Sequence, residues 1–211
     1  MNKKGIIFDL DGTLWEVTNT TYKSVNEITK KYNLKEVSIE TIKSVFGCNK
    51  VESAQKYFPY LNIKEALKLN DEISAINICN LKQYGGNVYE NLEETLQKLI
   101  DSYDLFIVSN TDNKEYIESF LTTSKLTKYF TDYLAASELN IAKSEAIQKI
   151  IEEYNLSKSV YVGDTIKDQE ASEKTNIPFI QATYGFGENL KTKYSIASIK
   201  ELPSLIDNIF M

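Results

Sequence analysis

Short apolar runs alternate with stretches of helical periodicity from about residue 87 onward. The runs have the length and the aromatic or β-branched content of buried strands, and they lie at 105–109, 133–136, 159–163 and 178–182. Between two of these runs, the spacing of apolar residues indicates a helical face formed by Ala146, Ile147, Ile150 and Ile151. Alternation of this kind is typical of right-handed βαβ units, so the sequence predicts an α/β fold built on a parallel sheet.

The segment from about 16 to 86 differs from the rest because it has helical spacing and no convincing strand. Its longest amphipathic stretch runs from Ile63 to Leu81. These helices could simply cover the sheet, but the segment is far longer than a usual βα connection. We therefore predict a helical cap domain at 16–86, inserted into a core formed by 1–15 and 87–211.

Two carboxylates, Asp9 and Asp11, follow the first apolar run and precede Gly12. Side chains of an extended segment alternate between faces, so both acids are expected on the same side. At a separation of about 4 Å and an effective dielectric near 20, they would repel each other by about 4 kcal/mol. A hard, oxygen-seeking divalent cation would offset that repulsion. The alternative is that Asp11 and Gly12 only form a turn after a strand.

Further polar side chains follow the later runs, each at the end of a predicted strand or the start of a helix: Ser109, Asn110, Lys143, Asp164 and Asp168. Ligands of open α/β sheets bind at the carboxyl ends of the strands, so we expect these residues to converge with the first two acids. Each also has an ordinary explanation. Ser109 and Asn110 could be turn or cap residues, Lys143 a solvated lysine, Asp164 a helix N-cap, and Asp168 a first-turn acid.

The basic residues number 24 and are all lysines, since the chain contains neither arginine nor histidine. A Ser-His-Asp or Cys-His nucleophile and histidine-ligated zinc are therefore excluded. A thiol phosphatase would lack the arginine fork that holds its phosphate. Acid, base and nucleophile roles must fall on Asp, Glu, Lys, Ser, Thr or Tyr, and carboxylate chemistry is favoured by elimination.

The 211-residue chain carries a formal net charge of −6. That charge argues against nucleic acid or an anionic membrane as the main partner, because phosphate-rich surfaces attract basic proteins. The apolar run at 6–8 is too short for a signal peptide, and no run approaches the length of a membrane span. We expect a cytoplasmic enzyme in which Cys48 and Cys79 are reduced and mostly packed.

Four of these segments resemble, in order, the motifs of the haloacid dehalogenase superfamily of phosphatases. The first is Asp9-Leu-Asp11-Gly-Thr-Leu, the second Phe106-Ile-Val-Ser109-Asn110, the third Lys143, and the fourth Asp164-Thr-Ile-Lys-Asp168. The resemblance implies a three-layer, Rossmann-like core with a helical cap inserted after the first strand. The cap resembles that of phosphoglycolate phosphatase-like members, as does the aromatic and glycine turn at 184–187.

The resemblance implies a Mg²⁺-dependent phosphatase that acts on a small phosphomonoester, phosphoglycolate-like, sugar phosphate or nucleotide, through an aspartyl-phosphate. Asp9 would be the nucleophile, and Asp11 would protonate the leaving alcohol and then activate water. Mg²⁺ would be held by Asp9, the backbone carbonyl of Asp11 and Asp164, with Asp168 acting through water or outer contacts. The phosphate would be bound by Ser109, the amide of Asn110, Lys143, and the turn at Gly12 and Thr13.

Two positions depart from the family pattern. Many relatives carry an acid directly after the Gly-Thr-Leu-x segment of the first motif and a proline after the lysine of the third, and Trp15-Glu16 and Ser144 stand in those places in this chain. Neither change affects a group that bonds phosphorus or metal, so the implied activity stands. The loop at 46–50 is where such enzymes contact the leaving group, and Lys50 there is either a contact to a substrate carboxylate or a solvated lysine.

Other protein classes share part of this pattern. A phosphomutase or phosphotransferase of the β-phosphoglucomutase type would form the same aspartyl-phosphate and pass it to a sugar. A dehalogenase does not need the second acid, and a receiver domain is expected to be much shorter. A catalytically silent binding module is expected to have lost one of Asp9, Asp11 or Asp164. The identity of the phosphorylated metabolite, and whether the protein is a monomer or a homodimer, stay open.

Overall fold

The computed structural model describes residues 3–111, 113–188 and 190–211. Its strands, in chain order, are β1 (Lys3–Phe8), β2 (Trp15–Glu16), β3 (Asn87–Val88), β4 (Asp104–Ser109), β5 (Asp132–Ala135), β6 (Leu156–Gly163), β7 (Phe179–Ala182) and β8 (Tyr194–Ile196). Its helices are α1 (Thr18–Lys31), α2 (Ile39–Val45), α3 (Lys50–Tyr57), α4 (Ile63–Tyr84), α5 (Leu92–Leu99), α6 (Lys114–Thr123), α7 (Lys143–Glu153), α8 (Ile166–Lys174) and α9 (Leu202–Phe210).

Six strands form one parallel sheet in the order β5-β4-β1-β6-β7-β8. β1 lies between β4 and β6, so Ile6 pairs with both Leu105 and Val160. After β1, the chain forms β4 and β5 on one side of it and then β6, β7 and β8 on the other side. The strand order therefore reverses next to the carboxyl end of β1. Ligands bind at such a switch point in open α/β sheets. The predicted α/β fold with a parallel sheet is confirmed.

Apolar side chains of β1 serve both faces of the sheet. Ile6 and Phe8 belong to a buried cluster shared with residues of α5, α6 and α9. Ile7 belongs to a second cluster, shared with residues of α7 and α8. Because helices cover both faces, β1 reads as a continuous apolar run instead of an alternating one. The result is the predicted three-layer arrangement.

The helices α1 to α4 lie between β2 and β3 and have an apolar cluster of their own. Its fully buried members are Val25, Ile28, Ile42, Ala54 and Phe58. The division into a core at 1–15 and 87–211 and a cap at 16–86 stays a prediction, and this separate cluster is compatible with it.

A two-stranded antiparallel ribbon joins the ends of that helical insertion. Trp15 of β2 pairs with Val88 of β3, and Glu16 pairs with Asn87. We call β2 and β3 the junction ribbon. The expectation that no strand lies between 16 and 86 is therefore wrong at Glu16, because a two-residue strand leaves no alternating pattern in the sequence.

Within the described ranges, no helix combines the length and apolar character needed to cross a bilayer. Both cysteines are free thiols. Cys48 is half-buried, whereas Cys79 is exposed on α4, so the expectation that both are mostly packed is wrong for Cys79.

Candidate active site

Asp9 lies directly beyond β1, at the carboxyl edge of the sheet. Its backbone N–H donates to the carbonyl oxygen of Val162 at 2.8 Å, which continues the pairing of β1 with β6. The residue is only 2% exposed. The central strand therefore fixes this carboxylate at the switch point of the sheet.

Lys143 is the first residue of α7 and points its side chain into the same place. Its ammonium nitrogen lies 2.8 Å from Asp9 Oδ1 and 2.6 Å from Asp168 Oδ1, and the residue is 5% exposed. Burial opposes the charge of this lysine, but Asp168 and Asp9 raise the pKa of Lys143 well above its ordinary value. A charged lysine therefore bridges two buried carboxylates, and the solvated alternative for Lys143 is wrong.

Asp164 follows β6 and is completely buried. Its Oδ2 accepts N–H groups from Phe186 at 2.7 Å and Gly187 at 3.2 Å, and its Oδ1 lies 3.4 Å from the hydroxyl of Thr13. Gly12 has a φ of +82°, and a Cβ there would lie 2.3 Å from Asp164 Oδ2. Only glycine lets the first turn approach this carboxylate so closely.

Asp168 lies in the first turn of α8 and has most of its hydrogen-bonding capacity in use. Its Oδ2 accepts the N–H of Thr165 at 2.9 Å and its hydroxyl at 2.7 Å, while its Oδ1 accepts from Lys143. The helix N-cap is Thr165, so the alternative of Asp164 as a cap is wrong. Asp164 and Asp9 keep more free lone pairs than Asp168 for a further ligand.

The carboxylate oxygens of Asp9, Asp164 and Asp168 come within 4.8 Å of one another. Burial and then the charge of Asp168 raise the pKa of Asp9 to about 7, although Lys143 lowers it. Burial, followed by the charges of Asp168 and Asp9, raises the pKa of Asp164 to about 8. When all three acids are ionised, the one lysine among them leaves an excess of negative charge. An all-oxygen donor set of this kind fits a hard divalent cation.

Asp11 is half-buried and lies beside this cluster, with its side chain bonded elsewhere. Its Oδ1 accepts a hydrogen bond from the hydroxyl of Tyr116 on α6 at 2.8 Å. Burial and the charge of Asp9 raise the pKa of Asp11 to about 7, and the bond from Tyr116 lowers it. A carboxyl group that titrates near neutrality can both donate and accept a proton.

Ser109 and Asn110 lie at the end of β4, on the same edge of the sheet. Ser109 is buried, and the side-chain amide of Asn110 donates to the carbonyl oxygen of Gly47 at 3.0 Å. Next to that contact, the ring of Phe46 stacks on Phe186 with centroids 4.5 Å apart. The helical insertion therefore closes over the carboxyl edge of the sheet.

The expectation that the turn at Gly12 and Thr13 offers N–H groups to phosphate needs correction. Gly12 N–H donates to the carbonyl oxygen of Trp15 at 2.9 Å, and Thr13 N–H donates to that of Leu10 at 3.2 Å. Both amides are used within the turn itself. What the two residues contribute here is close contact with Asp164.

Sequence reasoning missed Tyr116 and did not assign the amides of Phe186 and Gly187 to Asp164. A tyrosine on an amphipathic helix reads as a core residue, and no local signal connects it with an acid 105 positions away. The composition of the turn at 184–187 indicates a family resemblance, but its contact with Asp164 depends on tertiary structure.

Comparisons with known proteins agree with this architecture. The family model described as haloacid dehalogenase-like hydrolase matches residues 6–182. Pyrophosphatase PpaX from Oceanobacillus iheyensis is 25% identical over 226 residues, which cover all of both chains. The structure of a predicted phosphoglycolate phosphatase from Haemophilus somnus has a TM-score of 0.86 at 21% identity, covering 98% of this chain and 99% of the other. The HAD-hydrolase YfnB from Bacillus subtilis, solved bound to magnesium, has a TM-score of 0.74 at 15% identity, covering 98% and 100%.

Proposed function

The chain belongs to the haloacid dehalogenase-like hydrolases, and from that premise we propose that it is a Mg²⁺-dependent phosphatase that releases phosphate from a small phosphomonoester. The observation that carries the proposal is the buried group of Asp9, Asp164 and Asp168, whose oxygens lie within 4.8 Å of one another. A dehalogenase would not need Asp11, which is present and bonded to Tyr116.

Asp9, the backbone carbonyl of Asp11 and Asp164 would hold the magnesium ion, and Asp168 would act from outside, because its oxygens already accept from Thr165 and Lys143. When bound, magnesium supplies positive charge to the phosphoryl oxygens and offsets the repulsion among the acids. Lys143, Ser109 and the amide of Asn110 would contact the remaining phosphoryl oxygens.

The two acids at the end of β1 would divide the chemistry between them. The carboxylate of Asp9 attacks phosphorus in line, and the bond to the leaving oxygen breaks as the aspartyl-phosphate forms. Asp11 gives its proton to the leaving oxygen and then takes one from the water that hydrolyses the intermediate. The different surroundings of the two acids suit these roles. Asp9 pairs with the charged Lys143, whereas the Asp11 side chain, within the described residues, accepts a side-chain hydrogen bond only from the neutral Tyr116.

Removal of the metal tests the function. We expect a chelator to abolish phosphate release from a panel of phosphomonoesters and Mg²⁺ to restore it. Mg²⁺ at about 100 times its Kd should stabilise the fold by about 2.7 kcal/mol. This corresponds to a rise in Tm of about 5–11 °C for a chain of this size.

Asp164→Asn should remove that rise in Tm, since asparagine keeps an acceptor for Phe186 and Gly187 but lacks the charge. Asp101→Asn, the same change at an exposed acid, should retain it. Full activity in the chelated enzyme would refute the metal requirement. Transfer of phosphate to an added sugar, without release, would instead select the β-phosphoglucomutase type of reaction.

Tyr116→Phe should slow the hydrolysis of phosphate esters by an amount that depends on whether the leaving group needs a proton. The variant keeps the ring packed against Trp15, with centroids 5.8 Å apart, but loses the bond that orients Asp11. We expect kcat/KM for alkyl phosphates, which reports formation of the aspartyl-phosphate, to fall about 10- to 100-fold, because a hydrogen bond to a charged group contributes about 1.5–3 kcal/mol. p-Nitrophenyl phosphate, whose leaving group needs no proton, should change much less.

The control for Tyr116→Phe is Tyr133→Phe, which removes another bond from a tyrosine to a carboxylate, that of Glu118 at 2.9 Å, away from the site. It should leave both substrates unaffected. An equal loss for both classes of leaving group in Tyr116→Phe would argue against an orienting role.

A further inference from the structure

Two cavities adjoin the loop that joins α2 to α3. The first has a volume of about 120 Å³ and is lined by Asp11 and Ser109 at the carboxyl edge of the sheet, and we call it the site cavity. The second has a volume of about 270 Å³ and is lined by Lys167 of α8, and we call it the outer recess. Phe46 and Cys48 line both cavities. These two loop residues therefore form the partition between the site cavity and the outer recess.

Under the proposed function, the site cavity receives the leaving alcohol. Asp11 gives its proton to the leaving oxygen, and both Asp11 and Tyr116, which donates to it, line this cavity. The alcohol therefore extends from Asp11 into the space that Phe46 bounds on the side of the outer recess. A chain that lengthens in this direction meets the ring of Phe46.

The ring of Phe46 is held in place by both parts of the protein. It stacks on Phe186, with centroids 4.5 Å apart and planes 19° from parallel. It also packs against the buried apolar cluster of the sheet and against that of the helical insertion. Stacked aromatic pairs are favourable beyond the area that they bury. The partition is therefore a fixed wall and not a loose flap.

Phe186 is itself anchored to the site. Its backbone N–H donates to Asp164 Oδ2 at 2.7 Å. The turn lies so close to this acid that a Cβ at Gly185 or Gly187 would clash with Asp164. The ring that supports Phe46 is consequently placed by one of the acids that would hold the metal.

Two further contacts attach the same loop to the core. The side-chain amide of Asn110 donates to the carbonyl oxygen of Gly47 at 3.0 Å. Glu52 accepts the backbone N–H of Asn49 at 3.0 Å and also pairs with Lys167 of α8. The loop is therefore fixed to the core on both sides of the partition.

We propose, on the basis of the phosphatase function inferred above, that the stack of Phe46 on Phe186 limits the length of the leaving group. Phe46 determines specificity as the wall of the site cavity, and Phe186 is a positioning residue that acts through Phe46. The enzyme thus prefers phosphate esters of short alcohols. Loss of either ring joins the site cavity to the outer recess and admits longer alcohols.

Esters of one series, ethyl, butyl and hexyl phosphate, test this limit in the presence of Mg²⁺. In the native protein kcat/KM should fall at least about 10-fold from ethyl to hexyl phosphate, because one methylene group too many in a fitted pocket costs about 10- to 200-fold. Phe46→Ala should raise the ratio of kcat/KM for hexyl to ethyl phosphate at least about 10-fold. Equal native values for the three esters, or an unchanged ratio in the variant, would overturn the proposal.

Phe186→Ala tests the positioning role. It should shift the same ratio in the same direction, and the double variant should have the ratio of Phe46→Ala alone, since contacting residues that act as a unit are not additive. Independent, multiplying effects would overturn the assignment of Phe186. If an alanine variant does not fold, Phe46→Leu and Phe186→Leu replace the pair and should change the ratio in the same direction.

Tyr60→Ala is the matched control, because it removes an exposed ring of the same helical insertion that contacts Phe58 and lines neither cavity. Its ratio should equal the native one. The same shift in Tyr60→Ala would indicate general loosening of the insertion and would overturn the proposal. If the native protein released phosphate from no phosphomonoester at all, the phosphatase function itself would fail, which is distinct from hydrolysis without a preference for length.

Discussion

Replacement of Asp9 by asparagine should lower phosphate release at least about 10⁴-fold, because removal of a nucleophile eliminates the covalent route and leaves only binding and electrostatic effects. Asparagine has nearly the same shape, and its oxygen can still accept from Lys143, which lies 2.8 Å from Asp9 Oδ1. The expected loss is therefore one of chemistry and not of fold. Initial rates on the ester that the native enzyme hydrolyses fastest measure it.

Two further measurements separate the nucleophile from a supporting acid. Acid quenching during turnover of a labelled ester should trap phosphate on the native chain and none on the Asp9→Asn variant. Asp101→Asn makes the same chemical change at an exposed position and should behave as the native protein does. A variant at Asp9 that retained more than a tenth of the native rate would refute the assignment of the nucleophile.

Lys143→Met should destabilise the metal-free protein by about 3–5 kcal/mol, since the loss of one partner leaves buried charges uncompensated. Asp9 and Asp168 would then face each other without the ammonium that lies 2.8 and 2.6 Å from them. For a chain of this size, Tm should fall by about 6–20 °C. Thermal unfolding in a chelating buffer at pH 8 measures the change.

Lys149→Met is the matched control, because Lys149 lies on the same helix but its side chain is half exposed. Its Tm should stay within about 2 °C of the native value, as surface ion pairs contribute little. Adding Asp168→Asn to Lys143→Met should recover part of the lost stability by removing one of the repelling charges. If Lys143→Met had the same Tm as the native protein, the lysine would not be the group that stabilises the buried acids.

The sequence was sufficient to predict the parallel sheet and most of its strands, because buried strands are nearly continuous apolar runs. It failed for β8, which is only three residues long, and for the junction ribbon, whose strands have two residues each. It also missed α3, although Asn49 and Glu52 form a capping box at its start. Short elements have too few residues to show a periodic sequence pattern, and tertiary contacts determine whether they form.

For the candidate site, residues at the ends of strands were predictable because their positions follow from topology. Asp9, Lys143, Asp164 and Asp168 meet at the carboxyl edge of the sheet as expected. The turn at Gly12 and Thr13 was misinterpreted, since the sequence cannot tell whether an amide is already used in its own turn. Tyr116 could not be predicted, because it acquires its importance from a partner far away in the chain.

The junction ribbon places the two ends of the helical insertion next to each other, at about the 5 Å spacing of paired strands. A longer or entirely different segment can therefore be accommodated between Glu16 and Asn87 at a modest entropic penalty and without displacing β1 or β4. Under the proposed function, a change confined to that one continuous segment would alter the surface facing the reacting centre and leave intact the strands that position the buried acids.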